Sequence, residues 1–110
     1  MTYEEIDSML AEVGIPYAYY QFPDNSGQQP PFLCFYYPND NDFRADDHRY
    51  AKIDALTIEL YTDQKDFDLE ETLESVLEAH GIVFSWDETF IDSEQMHLTT
   101  YYTEVLINAG

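Results

Sequence analysis

The sequence predicts an α+β domain, a mainly antiparallel sheet with two helices packed on one face, in the order α-β-β-β-α-β-β over residues 1–110 as a single domain. Two observations lead there. Two stretches carry apolar residues at helical spacing and each runs into a glycine, Gly14 or Gly81. The other apolar stretches are short, rich in aromatic and branched residues, and separated mostly by connections of hairpin length.

The first helix opens with Thr2 and Glu5 in capping-box spacing and presents Ile6, Met9, Leu10 and Val13 on one side, with Gly14 and Pro16 to end it. Tyr17–Gln21 predicts a first strand, and 23–31, with three prolines, a glycine and otherwise polar residues, predicts a loop. Phe32–Tyr37 reads as a second strand, apolar on both faces, stopped by Pro38, and 39–47 as a polar acidic loop. From about Tyr50 to Tyr61 the chain alternates, with Leu56, Ile58 and Leu60 facing one way and Thr57, Glu59 and Tyr61 the other. The second helix takes Asp66 or Asp68 as N-cap. Its apolar stripe is Leu69, Leu73, Val76, Leu77 and His80, and the column Glu70, Glu74, Glu78 reads as a solvated face. Ile82–Trp86 predicts a fourth strand, 87–95 an acidic connector, and Met96–Ile107 a last strand long enough to span the sheet.

Charge bounds the function. The chain carries 23 Asp+Glu against 4 Lys+Arg, a formal net charge of −19, where domains of this size ordinarily carry about 2–8 in magnitude. Nucleic acid is gripped by cations that displace counterions from phosphates, and this chain has almost none to offer; an anionic membrane surface is disfavoured for the same reason. Disorder is not expected either, because 45% of the residues are hydrophobic and 16% aromatic. A lone cysteine, Cys34, the lack of a basic leader and the lack of a long apolar run point to folding in a cytoplasm.

No pattern in the sequence sets up catalysis, so the expectation is a protein that is not an enzyme and needs no cofactor. Carboxylates are plentiful, yet none is set apart in an environment unlike its neighbours. Asp40, Asp42, Asp46 and Asp47 cluster with Asn39 and Asn41, but an EF-hand frame started at Asp40 puts Arg44 and Ala45 where an oxygen ligand and a glycine belong. His48, His80 and His97 share no zinc spacing, and Cys34, between Leu33 and Phe35, reads as a small buried hydrophobe. His80 reads as a ring near the helix dipole. Glycine-rich phosphate loops and nucleophile elbows are missing from the sequence.

The cations are more informative. Residues 1–43 and 66–110 hold no Lys or Arg, while Arg44, Arg49 and Lys52 form a short basic strip with Lys65 further on. The strip suits either contact with the acidic surface of a neighbouring subunit or local neutralisation of Asp46, Asp47 and Asp54. Adjacent pairs such as Tyr19-Tyr20, Tyr36-Tyr37 and Tyr101-Tyr102 put aromatic rings on both faces of the sheet, whereas two helices cover one. The second face therefore calls for a partner, most simply another copy.

Tyr50-Ala51-Lys52-Ile53 leading into Leu56–Thr62, then Lys65-Asp66 and a Glu-rich helix closing at Gly81, resembles the small tail proteins of siphophages and prophages of Gram-positive bacteria. Phe84-Ser85-Trp86, Phe90–His97, Tyr101-Tyr102 and the opening helix followed by Gly14–Tyr19 fit the same pattern, so the resemblance covers nearly the whole chain through structural positions. It implies a tail terminator, or tail-completion protein, that assembles into a ring, often a hexamer, at the head-proximal end of the tail. Such a ring stops tube polymerisation and joins the tail to the head. The implied partners are other copies of the chain, the major tail tube protein and the head–tail connector protein, and the implied location is the virion after assembly in the host cytoplasm. DNA would pass through without specific binding, no membrane is involved, and Glu70, Glu74 and Glu78 become candidates to face the lumen. The alternatives are another neck or connector component and, from a different class, an acidic DNA-mimic module that binds a host DNA-binding protein.

Overall fold

A computed structural model describes residues 1–23, 26–38 and 52–107, with Lys52 through its backbone alone. The elements are α1 (Tyr3–Ala11), β1 (Tyr17–Tyr19), β2 (Phe32–Tyr36), β3 (Lys52–Thr62), α2 (Phe67–Ala79), β4 (Phe84–Ile91) and β5 (Met96–Ile107). The α+β class and the α-β-β-β-α-β-β order are those expected.

Both helices start and stop by local chemistry. The Thr2 side chain accepts from the Glu5 N–H at 3.1 Å, and the Glu5 carboxylate accepts from the Thr2 N–H at 2.8 Å, which completes the capping box of α1. Asp66 caps α2 by accepting from the Leu69 N–H at 3.0 Å. At the far end the Ile82 N–H reaches the Leu77 carbonyl and the Gly81 N–H the Glu78 carbonyl, both at 3.0 Å. This is a Schellman closure, and it requires the positive φ of +75° that Gly81 supplies.

The five strands form one sheet in the order β1-β2-β3-β5-β4. All neighbours are antiparallel except β1 and β2, which run parallel and are joined by residues 20–31, about the length a parallel crossover needs. Strand β5 lies between β3 and β4, so β3-α2-β4 is a crossover unit split by the strand that follows it. The core lies between the sheet and the two helices. Ile6, Met9 and Leu10 of α1 and Leu73 and Leu77 of α2 meet Leu33, Leu56, Ile58, Tyr101, Val105 and Ile107 of the sheet, all buried.

Two strand boundaries and one side chain differ from expectation. β1 stops at Tyr19 because Tyr20 takes a φ of +70°, which breaks the extended run. The fourth strand begins at Phe84 and continues to Ile91, through residues expected to form a connector. Its backbone is satisfied by pairing with Met96–Thr103, and the turn is only 92–95, tightened by the Glu94 N–H to the Ile91 carbonyl at 3.2 Å. His80 leaves the apolar stripe: its exposed ring places Nε2 3.0 Å from Glu12 Oε2 and ties the end of α2 to the end of α1.

Truncating Leu73 to Ala opens a cavity at the helix–sheet junction and is expected to cost about 2–5 kcal/mol in urea unfolding. Val83→Ala, at a side chain 85% exposed, is expected to stay within about 0.5 kcal/mol.

Candidate functional site

The two sheet faces differ in what covers them. On the face away from the helices, Ile53 of β3 sits opposite Leu106 of β5, with 70% and 53% of their surfaces exposed; Tyr102, paired with Thr57 beyond the Ala55–Glu104 pair, is also exposed. Tyr102 donates a long hydrogen bond, 3.3 Å, to Asp87 of β4. This leaves a broken apolar stripe, with Glu104 between Leu106 and Tyr102, on an otherwise acidic molecule.

Toward the other end of the same face lies a groove of about 490 Å³, walled by Tyr20, Phe22, Phe32 and Tyr61, with Glu59 and Glu94 also in its lining. The rings brace one another: Phe22 meets Phe32 edge-on at 5.2 Å, and Phe32 stacks on Tyr61 at 4.9 Å. Tyr61 donates to Glu59 Oε1 at 2.9 Å. Cys34 is also in the lining, and burial together with the charge of Glu59 pushes its thiol up to about 11, so it stays protonated at neutral pH and is no nucleophile.

On the helix side a polar network surrounds Lys65. Its ammonium donates to Glu70 Oε1 at 2.9 Å and to Glu88 Oε1 at 2.8 Å, and it stands 4.9 Å from the Phe67 ring centre and 5.5 Å from that of Trp86. Glu70 also accepts from the Thr99 hydroxyl at 3.2 Å, and Glu74 accepts from Tyr101 at 2.7 Å. His97 brings Nε2 to 3.1 Å from Glu88 Oε1 without directing a hydrogen bond at it.

The column Glu70, Glu74, Glu78 is therefore not the solvated face expected. Glu70 is buried, Glu74 is half-buried against Tyr101, and of the three only Glu78 faces solvent. In helical projection the column lies one residue step, about 100°, from the stripe Leu69, Leu73, Leu77, so it borders the sheet instead of opposing it. Lys65 and the hydroxyls of Thr99 and Tyr101 supply the donors that make this burial tolerable. Among the expected contact residues, Lys52 opens β3 opposite Ile107, while Arg44 and Arg49 lie outside the described residues, as do the Asp/Asn cluster of 39–47 and His48.

The Lys65 network has a defined pH signature. Burial alone would lower the Lys65 ammonium, but Glu88 and Glu70 outweigh it and hold its pKa above the ordinary lysine value. Lys65 in turn holds the Glu88 carboxyl below the ordinary carboxylate range. The stabilisation is thus fully present between the ordinary carboxylate and lysine ranges. It is lost as acid protonates Glu88 through its lowered pKa, or as base strips Lys65 through its raised one. Lys65→Met leaves the buried Glu70 without its cation, and is expected to lower stability by about 1–3 kcal/mol at pH 7. The loss should be smaller at pH 4, where the Lys65–Glu88 contribution in the parent is already fading as acid protonates the Glu88 carboxyl; thermal unfolding at the two pH values checks the difference.

A scan against protein-family models gives no match to this chain, and a search of curated proteins gives none either.

Proposed function

We propose that this chain is a structural subunit of a phage or prophage tail: a tail terminator that forms a ring at the head-proximal end of the tube, halts tube polymerisation and joins the tail to the connector. The observation that carries the reading is the two-sided sheet. Its helix-free face keeps Ile53, Leu106 and Tyr102 exposed, and a monomer of this charge gains nothing from leaving such a stripe in water. The residue pattern that resembles small siphophage tail proteins supplies the kind of assembly in which that stripe would be covered by a neighbouring copy. In that role the protein performs no catalysis; its work is shape and contact, with the tube protein and the connector as further partners and the virion as its place.

The charge suits the same role. A ring that lets genomic DNA through must not hold it, and a net charge of −19 repels phosphate at every point of the path. It also makes assembly depend on salt, because copies this acidic repel one another over about 10 Å at 0.1 M ionic strength and over less as salt rises.

Light scattering and negative-stain microscopy across ionic strength, with and without tube protein, test the reading. Rings of defined order that become more abundant with salt are the expected result. A strict monomer at high concentration and high salt with tube protein present, binding instead to a basic DNA-binding protein, would overturn it in favour of a DNA mimic. The double variant Ile53→Asp/Leu106→Asp is expected to abolish rings while unfolding within about 1 kcal/mol of the parent, since both side chains are solvent-facing. Reversal of Arg44, Arg49 and Lys52 to Glu is expected to weaken assembly more than folding.

A further inference from the structure

We propose that the groove on the helix-free face is a receptor for one arginine side chain, presented by a basic segment of a partner protein. The proposal is independent of ring formation, since it concerns what the groove binds and not what covers the Ile53–Leu106 stripe.

Three observations carry it. The groove combines two carboxylates, Glu59 and Glu94, with walls of Tyr20, Phe22, Phe32 and Tyr61. Rings attract a planar cation through their faces, and a carboxylate gives it a charge-assisted hydrogen bond, so this pairing of chemistries suits a guanidinium better than an anion or a neutral group. Second, among the described residues the ion pairs formed by Lys65, His80 and His97 involve Glu70, Glu88 and Glu12, and none reaches Glu59 or Glu94. Among the described residues, then, no Lys, Arg or His neutralises the two glutamates of the groove, with Arg44, Arg49 and the Lys52 side chain lying outside them. A bound metal ion is a poorer fit, because among the described residues no three His, Cys, Asp or Glu side chains come together to hold one.

Third, the rim is built at an energetic cost. Tyr20 and Gln95 are the described non-glycine residues with positive φ, +70° and +54°. Tyr20 lines the groove, and Gln95 lies between Glu94 and Met96, which line it from the opposite turn. A left-handed backbone is unfavourable for a tyrosine, whose Cβ crowds the following carbonyl. The conformation is held by the Tyr20 N–H donating to the Phe35 carbonyl at 2.8 Å, while the ring remains 64% exposed beside Tyr36. Burial within the monomer does not offset the strain, whereas closing over a flat cationic group would.

The groove is open on one side, so a side chain carried on a segment of another protein can enter it, and at about 490 Å³ it has room for the flanking backbone as well. The chain itself has only four Lys and Arg in 110 residues, so a more basic partner is the natural source.

The test is a ¹H–¹⁵N NMR titration of the full chain with the peptide Ac-Gly-Arg-Gly-NH₂, set against the same peptide carrying citrulline, which has the shape of arginine without its charge. The expected result is saturable shifts centred on Phe32, Cys34, Glu59 and Tyr61, weakened about five- to tenfold by citrulline or by Glu59→Gln. Glutamine keeps an acceptor for the Tyr61 hydroxyl, and a dispersed spectrum verifies the fold. Glu104→Gln removes the same charge from the same sheet face outside the groove and should leave the affinity unchanged. Tyr20→Asn, which tolerates the left-handed backbone, should weaken binding without Glu59 being touched. Equal shifts with both peptides, equal losses in Glu59→Gln and Glu104→Gln, shifts spread over the whole acidic surface, or no saturation in the millimolar range would each overturn the proposal.

Discussion

Strands β3 and β5 pair along eleven residues, from Lys52 opposite Ile107 to Thr62 opposite His97, and the other elements take their positions from that ladder. One side of it supplies Leu56, Ile58 and Leu60 together with Tyr101, Val105 and Ile107, which are the floor on which both helices pack. The reverse side, by the strict alternation of strands, carries Ile53, Glu59, Tyr61, Tyr102 and Leu106. The ladder thus couples core and surface: a slip of one residue would bury the Glu59 face and expose the core. Strand β2 extends the sheet on one side and β4 on the other, so the helix-free face is a consequence of the same register that builds the core.

Lys65 resolves a second constraint, the placement of so many carboxylates on so little protein. Its ammonium bridges the helix through Glu70 and the edge strand through Glu88, and the hydroxyls of Thr99 and Tyr101 complete the shell around Glu70 and Glu74. Strand β4 is poorly buried along most of its length, and this bridge is a polar link from it to α2. One cation therefore adds a polar tie to the β4 edge, beside its ladder with β5.

The fold was legible because its signals are local. The capping box at Thr2 and Glu5, the glycine stop at Gly81 and the alternation through Leu56, Ile58 and Leu60 each specify an element without reference to the rest of the chain. The far half of β4 was not legible, since Asp87, Glu88, Asp92 and Glu94 look like a solvated connector until β5 pairs with it. The burial of Glu70 was hidden for a related reason: a helical wheel shows a carboxylate beside the apolar stripe, but not the lysine and threonine that await it. At the groove, the alternation already set Glu59 and Tyr61 on one face. That Phe22, Phe32 and Tyr20 close around them depends on a left-handed turn at Tyr20, which no residue type there announces.

The position of β5 also governs the order in which the molecule can be built. It joins β3 to β4, and its partners in β3 lie between thirty-five and fifty-five positions earlier in the chain. Until β5 has been synthesised, β3 has no neighbour on that side and β4 has no ladder at all. Pairing at such separation must overcome loop-closure entropy before it yields contacts. The edge of β3 that β5 covers is open in any chain lacking β5, and dense negative charge opposes the pairing of two such edges.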